Sequence, residues 1–246
     1  AFNITDSAAS RMAMSPIAVA HLLLDREADP ILQVTGRDKN KIALQADLLA
    51  AAALGISNVL CLTGDSPASG DHPNAKSVFD LDAVGILGAA KSLQLGKDMG
   101  GNKLKGSPVF TLGAVANPVS QNLEKEIERM EQKIQEGASF FQTQAVYDVS
   151  SFEKFINVAQ KFKVPILAGF IILKSAKMAR NLNANLPGVY IPPNLVQELE
   201  ETDSPRDTSI EISGRIIGAI KGMCRGVHIM PIGWDTSIPN ILQQAG

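Results

Sequence analysis

The sequence contains few of the residues and runs that mark several functional classes. Its 246 residues include only two cysteines, Cys61 and Cys224, and two isolated cysteines provide neither a disulfide framework nor a metal site. No apolar stretch reaches the roughly 18 residues that a membrane-spanning helix needs, and no signal peptide is visible. We therefore expect two structural cysteines, no membrane partner and a cytoplasmic location.

Charge and glycine patterns exclude further classes. The formal net charge is −2 and no block of like charge occurs, so we expect no nucleic-acid partner. No Gly-x-Gly-x-x-Gly follows a strand, which argues against a Rossmann dinucleotide fold. The histidines His21, His72 and His228 are scattered, so neither a catalytic triad nor a zinc site is expected. The expected partner is a small molecule or another protein.

Short apolar runs alternate with helical patterns along the whole chain. Because such runs are typical of strands buried on both faces, we predict strands over Phe2–Thr5, Pro30–Thr35, Asn58–Thr63, Pro108–Ala116, Phe140–Val146, Val164–Ile172 and Val227–Ile232. Helices are predicted over Pro16–Leu24, Lys41–Leu54, Leu81–Leu93, Gln121–Glu136, Ser151–Lys161, Ser175–Leu182, Ser209–Lys221 and Ser237–Gln244.

Strict alternation of strand and helix predicts an α/β fold with a parallel sheet. We count seven β/α units, whereas a closed (β/α)8 TIM barrel has eight. We therefore predict one TIM-barrel domain over residues 1–246, with the first β/α unit absent from this numbering. An open doubly wound sheet is the alternative.

Polar residues cluster at the predicted C-terminal strand ends, where barrels place their active sites. Asp65 is the sharpest of these, because it follows Gly64, whose backbone can approach a ligand closely. A carboxylate there can accept paired N–H groups from a heterocycle, although Asp-Ser-Pro is also typical of a turn or a helix cap. Position alone leaves both interpretations open.

Polar side chains in three other parts of the chain can be interpreted as either functional or purely structural. Gln142 and Gln144 lie two apart on a strand and therefore share a face; they either bind a ligand edge or form a satisfied interior polar layer. Residues 37–40 read as an exposed loop, with Asn40 as a helix cap and Arg37 as a weak candidate for an anion contact. Lys133 lies beside an apolar helical stripe, and the pattern alone predicts that it is solvated.

Four segments resemble the methylenetetrahydrofolate reductase family, in order and spacing, over nearly the whole chain. They are Gln33-Val-Thr-Gly-Arg-Asp-Lys-Asn40, Asn58-Val-Leu-Cys-Leu-Thr-Gly-Asp65, Gly113-Ala-Val-Ala-Asn-Pro118 and Phe141-Gln-Thr-Gln144. Arg37-Asp38-x-Asn40 and Ser77-Val-Phe-Asp80 are similar to the branch found in anaerobes and in fusions with homocysteine methyltransferases. The resemblance implies an FAD-binding barrel that reduces 5,10-methylenetetrahydrofolate to 5-methyltetrahydrofolate.

The resemblance also implies roles for individual residues. Asp65 is expected to grip the pterin close to the flavin, and Gln144 to hydrogen-bond the folate; these two are the expected catalytic and substrate-binding residues. Lys133 and Glu126 are expected at the ribityl–phosphate or nucleotide part of the cofactor. The remaining cofactor-binding residues are expected to be Thr5, Gln33, Thr63, Gly64, Phe79 and Asn117.

Departures from the family pattern concern the electron donor and the general acid. Gln33 replaces the usual His, Leu182 stands where an aromatic stacks on the donor, and Met178 replaces a glutamine. NADH or NADPH is one expected donor, and a partner subunit that supplies electrons is the other. The chain is expected to form a homo-oligomer or a hetero-complex. The family's general acid, a Glu that protonates N10, is expected on the missing first strand. A flavin- and folate-binding subunit and another flavin barrel, such as a proline dehydrogenase, remain the alternatives.

Overall fold

The structure, a computed structural model, describes all residues from Ala1 to Gly246. Seven strands are present: β1 (Phe2–Ile4), β2 (Pro30–Thr35), β3 (Asn58–Leu62), β4 (Thr111–Ala116), β5 (Phe140–Ala145), β6 (Ile166–Ile171) and β7 (Gly226–Met230). Nine α-helices accompany them: α1 (Pro16–Leu24), α2 (Lys41–Ala53), α3 (Ala83–Gln94), α4 (Leu123–Gln135), α5 (Val149–Ala159), α6 (Ala176–Asn185), α7 (Pro193–Glu200), α8 (Pro205–Ile220) and α9 (Ile238–Ala245).

The strands follow one another in sequence order within a seven-stranded sheet. Strands β1 to β4 pair in parallel with their sequence neighbours, as do β5 to β7. The predicted α/β class with parallel, barrel-type strand order is confirmed. The additional first β/α unit that would complete an eight-unit barrel stays a prediction. None of the helices has the combination of length and apolar character that a membrane crossing requires.

The chain divides into two compact units, and the first comprises residues 1–115 and 131–140. Its buried side chains come from the strand interiors and from the inner faces of α2 and α3; they include Leu32, Leu44, Leu48, Cys61 and Ile86. The loop before α2 ends on the predicted cap: Asn40 Oδ1 accepts hydrogen bonds from the amides of Ile42 and Ala43, both at 3.0 Å. This cap satisfies two of the otherwise unpaired helix N–H groups.

The second unit comprises residues 116–130 and 141–246. One part of its core is an aliphatic cluster that includes Phe170 and Tyr147, whose rings are tilted by 55° with their centroids 5.2 Å apart. The Tyr147 hydroxyl donates to the Ile171 carbonyl at 2.8 Å, so burying this phenol leaves no polar group unsatisfied. The prediction of one domain over residues 1–246 stays a prediction.

Candidate functional site

Asp65 lies in an exposed loop directly after β3, at the C-terminal end of the strand. Gly64 has φ of +91°, and a Cβ there would lie 3.1 Å from the Cβ atoms of both Thr35 and Arg37. A left-handed backbone in such close surroundings favours glycine. The Asp65 carboxylate makes no hydrogen bond within the chain, whereas its backbone carbonyl accepts one from Ser10 Oγ at 3.0 Å. The loop therefore presents a carboxylate that is open to a ligand.

Arg37 is buried directly behind this loop, with 3% of its surface exposed. Its Nε donates to both carboxylate oxygens of Asp38 at 2.9 Å, and its Nη2 donates at 2.6 Å. These hydrogen bonds, reinforced by the negative charges of Asp38, Asp6 and Asp65, raise the pKa of Arg37 above its ordinary value. The interpretation of Arg37 as an exposed loop residue is wrong, because its guanidinium is buried and bonded to its own surroundings.

Among the other predicted cofactor residues of the first unit, Thr5 and Thr63 directly follow β1 and β3, and Gln33 lies within β2. Thr5 and Thr63 are exposed, and Gln33 is half-buried. Thr63 Oγ1 accepts from the amide of Ala83, the first residue of α3, at 3.2 Å. Phe79 is 38% exposed, with φ of 46°. Its amide donates to the Gly36 carbonyl at 3.1 Å, so the ring is held near the end of β2.

Lys133, the predicted phosphate contact, is 8% exposed. Its ammonium donates to the Val115 carbonyl at 2.7 Å, at the end of β4. The expectation of a solvated lysine from the helical pattern alone is therefore wrong. A buried ammonium needs oxygen partners, and a strand-end carbonyl is one of them here. Its contact with a cofactor stays a prediction.

In the second unit, Asn117 and Glu126 are brought together. The amide of Asn117 donates to Glu126 Oε1 at 2.9 Å, and Asn117 Oδ1 accepts from the amide of Val119 at 3.1 Å. These bonds shape the turn between β4 and α4. Gly188, with φ of +81°, lies against both Asn117 and Gln144, because a Cβ there would meet their side chains at 2.9–3.1 Å. The predicted residues Asn117, Glu126 and Gln144 thus form one cluster.

Strand β5 contains a bulge at the predicted glutamines. Gln142 pairs with Leu167 and Ala145 with Gly169, so Thr143 and Gln144 together face a single residue of β6. Thr143 Oγ1 accepts from the Gly169 amide at 2.9 Å and donates to the Gln144 carbonyl at 2.7 Å. Gln142 is 3% exposed, whereas Gln144 is half-buried. A bulge redirects a side chain, which here separates the environments of the two glutamines.

A cleft of about 850 Å³ borders this cluster in the second unit. Apolar and polar side chains both line it, a composition typical of small-molecule sites. Both Asn117 and Gly188 line it. The other lining residues are Pro118, Val119, Ser120, Gln121, Leu123, Asp148, Ser151, Lys154, Pro187, Val189 and Tyr190.

The positions that depart from the family pattern on α6 are apolar and packed. Met178 and Leu182 both lie, partly buried, against the aliphatic core of the second unit. Neither offers an aromatic face or an amide at the expected donor position. Their expected consequence for the electron donor stays a prediction.

The sequence reasoning missed Asp6 and Ser10. Asp6 is 7% exposed, and its Oδ2 accepts from the Thr35 amide at 3.0 Å and from Thr35 Oγ1 at 2.9 Å. Ser10 is 8% exposed and bonds Asp65. For Asp6, the sequence offered one indication of a functional role, namely its position directly after Thr5 at the end of a predicted strand. Ser10 had none, because its partners lie 27 and 55 residues away in sequence.

The family model described as methylenetetrahydrofolate reductase matches residues 1–246 of the chain. Methylenetetrahydrofolate reductase 2 of Schizosaccharomyces pombe is 24% identical over 270 residues, which cover 99% of this chain and 40% of that protein. A probable methylenetetrahydrofolate reductase (NADPH) of Caenorhabditis elegans is 23% identical over 244 residues, covering 94% of this chain and 34% of that protein. The chain therefore spans well under half the length of these curated relatives.

Among solved structures, the chain is similar to an uncharacterised protein from Clostridium thermocellum. That protein is described as binding two copies of 5-methyl-5,6,7,8-tetrahydrofolic acid. The TM-score is 0.61 with 17% sequence identity, and the likeness covers 95% of this chain and 77% of that chain. At this identity the likeness supports the fold assignment.

Proposed function

Because the chain belongs to the methylenetetrahydrofolate reductase family, we propose that it binds FAD and reduces 5,10-methylenetetrahydrofolate to 5-methyltetrahydrofolate. The match over the whole chain is the observation that carries this proposal. The likeness to a structure described as binding methyltetrahydrofolate is consistent with it. Bound FAD would supply hydride transfer to the methylene carbon, which no protein side chain provides.

The residues of the first unit fit a flavin. Thr5, Gln33 and Thr63 offer exposed or half-buried polar groups on or directly after neighbouring strands, and Gly64 lets the backbone approach a ring closely. Phe79 adds a partly exposed aromatic face. Lys133 fits less directly, because its ammonium already bonds the Val115 carbonyl. The proposal therefore depends on the strand-end groups and not on this lysine.

Asp65 and Gln144 are proposed to bind the folate. A pterin presents adjacent N–H donors that a carboxylate accepts in pairs, and the Asp65 carboxylate is exposed and makes no hydrogen bond within the chain. Gln144 offers one donor and one acceptor from a half-buried position. In the proposed reaction both residues bind and orient the substrate. The proton for N10 must come from another group.

Replacing Asp65 by Asn tests this assignment in the full-length protein reconstituted with FAD. We expect flavin binding to persist and the reoxidation of reduced flavin by methylenetetrahydrofolate to slow by about 100-fold or more, because a paired charged acceptor is lost. Stopped-flow absorbance measures the rate, and Asp203→Asn, at an exposed position, is the matched control. A protein that takes up no FAD, or a wild-type flavin that folate leaves reduced, contradicts the proposal.

A second candidate is a flavin- and folate-binding subunit that receives electrons only within a larger complex. The packing of Met178 and Leu182 against the core favours it, because the expected donor position offers no aromatic face. Such a subunit reacts with folate when its flavin is reduced chemically but does not turn over with nicotinamides. Steady turnover of the isolated protein with NADH or NADPH excludes this candidate. A flavin-binding protein without any folate response would instead support another flavin barrel, such as a proline dehydrogenase.

A further inference from the structure

The segment that follows β1 adopts an unusual backbone conformation. Ser7, Ala9 and Ser10 have φ of 50°, 52° and 55°, in the left-handed region that residues with a Cβ avoid. Such conformations persist only where the surrounding structure holds them, and they concentrate at functional sites. The contacts that hold residues 7–10 therefore indicate what the segment does.

These contacts join the segment to the loop that carries Asp65. Ser10 Oγ donates to the Asp65 carbonyl at 3.0 Å, and the amide of Met12 donates to both carboxylate oxygens of Asp71 at 3.1 Å. Between them, the backbone of Gly70 lies so close that a Cβ there would be 1.8 Å from the Ser10 carbonyl oxygen. The loop after β3 is thus held at Asp65 and again at residues 70–71.

Arg37 determines the direction of the Ser10 hydroxyl. Its Nη1 donates to Ser10 Oγ at 3.3 Å and to the Ser7 carbonyl at 3.1 Å. Because a hydroxyl has one proton, a Ser10 oxygen that accepts from Arg37 is left to donate that proton to Asp65. The bidentate pair with Asp38 fixes the guanidinium in place. The chain of contacts therefore runs from Asp38 through Arg37 and Ser10 to the Asp65 backbone.

We propose that Ser10 and Arg37 are positioning residues for Asp65. The guanidinium orients the Ser10 hydroxyl, and the hydroxyl holds the Asp65 backbone so that the exposed carboxylate points at its ligand. The nature of that ligand depends on the proposed function, whereas the hold on the loop does not. A displacement of about 1 Å in a binding group can slow a reaction by a large factor. The Ser10 hydroxyl can therefore affect the reaction measurably without contacting the substrate.

Two substitutions of Ser10 separate positioning from stability. Ser10→Ala removes the hydroxyl and keeps the strain, whereas Ser10→Gly removes the hydroxyl and accommodates the positive φ. We expect Ser10→Gly to unfold at a higher temperature than Ser10→Ala. Both should nevertheless raise the KM for methylenetetrahydrofolate about tenfold with a smaller effect on kcat, because each loses one hydrogen bond that aligns a binding group.

Amide hydrogen exchange in the full-length protein supplies a second measurement that needs no activity. Exchange over residues 65–71 should rise in both Ser10 variants and stay unchanged in Ser15→Ala, an exposed serine that makes no capping hydrogen bond. Unchanged exchange in Ser10→Gly overturns the inference, as does an unchanged KM in an otherwise active enzyme. If folate does not reoxidise the wild-type flavin, the proposed function fails, and exchange alone then decides the role of Ser10.

Discussion

At the scale of single residues, Gly169 is confined more tightly by backbone than by side chains. A Cβ at this position would lie 2.3 Å from the Thr143 carbonyl oxygen and 3.1 Å from that of Gln144. Neither atom can rotate away, because both belong to the bulged strand β5. The small size of Gly169 is therefore what allows β6 to pair with the bulge.

We expect Gly169→Ala to lower the free energy of unfolding by about 1–3 kcal/mol, since β5 or β6 must shift to relieve the overlap. Urea denaturation followed by circular dichroism measures the change. Gly222→Ala is the control, because a Cβ there meets no atom within 4 Å. Equal stability of the two variants would show that the bulge does not require a glycine at position 169.

Single residues also mark the limit of prediction from sequence. Asn40 and Asp65 could be predicted, because a helix cap and a strand-end carboxylate depend on neighbours in the chain. Arg37 and Lys133 could not, since both are charged and yet buried. Arg37 bonds its neighbour Asp38, but its contacts with Ser7 and Ser10 span 30 and 27 residues. For Lys133 one partner is a carbonyl 18 residues away.

At the scale of elements, β7 carries a histidine whose charge bears on stability. Burial lowers the pKa of His228 below its ordinary value. Well above a pH of about 6.5 the side chain is neutral in both the folded and unfolded states, so it contributes no pH dependence. Below that pH the unfolded chain takes up a proton before the folded protein does, and stability falls as the pH falls.

We therefore expect the free energy of unfolding to decrease between about pH 7 and pH 5.5, and His228→Gln to remove part of this slope. Urea titrations at several pH values measure it. Met230→Leu, a neutral substitution on the same strand, should leave the slope unchanged. A slope in His228→Gln equal to that of the wild type would assign the dependence to other groups.

The elements themselves were largely predictable, and the exceptions have local causes. All seven strands occur near their predicted positions, but β4 starts at Thr111 instead of Pro108, because Pro108 lacks an N–H and Phe110 donates to the Gln94 side chain at 2.7 Å. Helix α7 was missed, since it has eight residues and starts at Pro193. The bulge in β5 could not be predicted from sequence, because a strand with one inserted residue has the same composition as a regular buried strand.

At the scale of the whole molecule, a ligand that binds only the folded chain stabilises all of it. At a concentration of about 100 times its Kd, such a ligand adds about 2.7 kcal/mol. For a chain of this size the added stability corresponds to a rise of roughly 5–10 °C in Tm. Saturation with FAD should therefore produce such a rise in a thermal scan, whereas AMP, which lacks the flavin ring, should produce little. No shift with FAD contradicts the proposed cofactor.

The uniform alternation of strands and helices predicted the α/β class but not the division into two compact units. The boundaries lie inside β4, between residues 115 and 116, inside α4, between residues 130 and 131, and inside β5, between residues 140 and 141. No linker composition marks any of these three points. Units divided within continuous elements leave no signal in sequence, because a helix or strand that belongs to both has the pattern of an ordinary one.

The bulge has a consequence for protein engineering. Thr143 and Gln144 on one strand and Gly169 on the next form one structural unit, since the bulged backbone occupies the space that a Cβ on Gly169 would need. Grafting the Gln142–Gln144 segment into another barrel would transfer the sequence but not the bulged geometry, unless the glycine on the neighbouring strand is grafted as well. A designer who moves this glutamine must therefore move two strands.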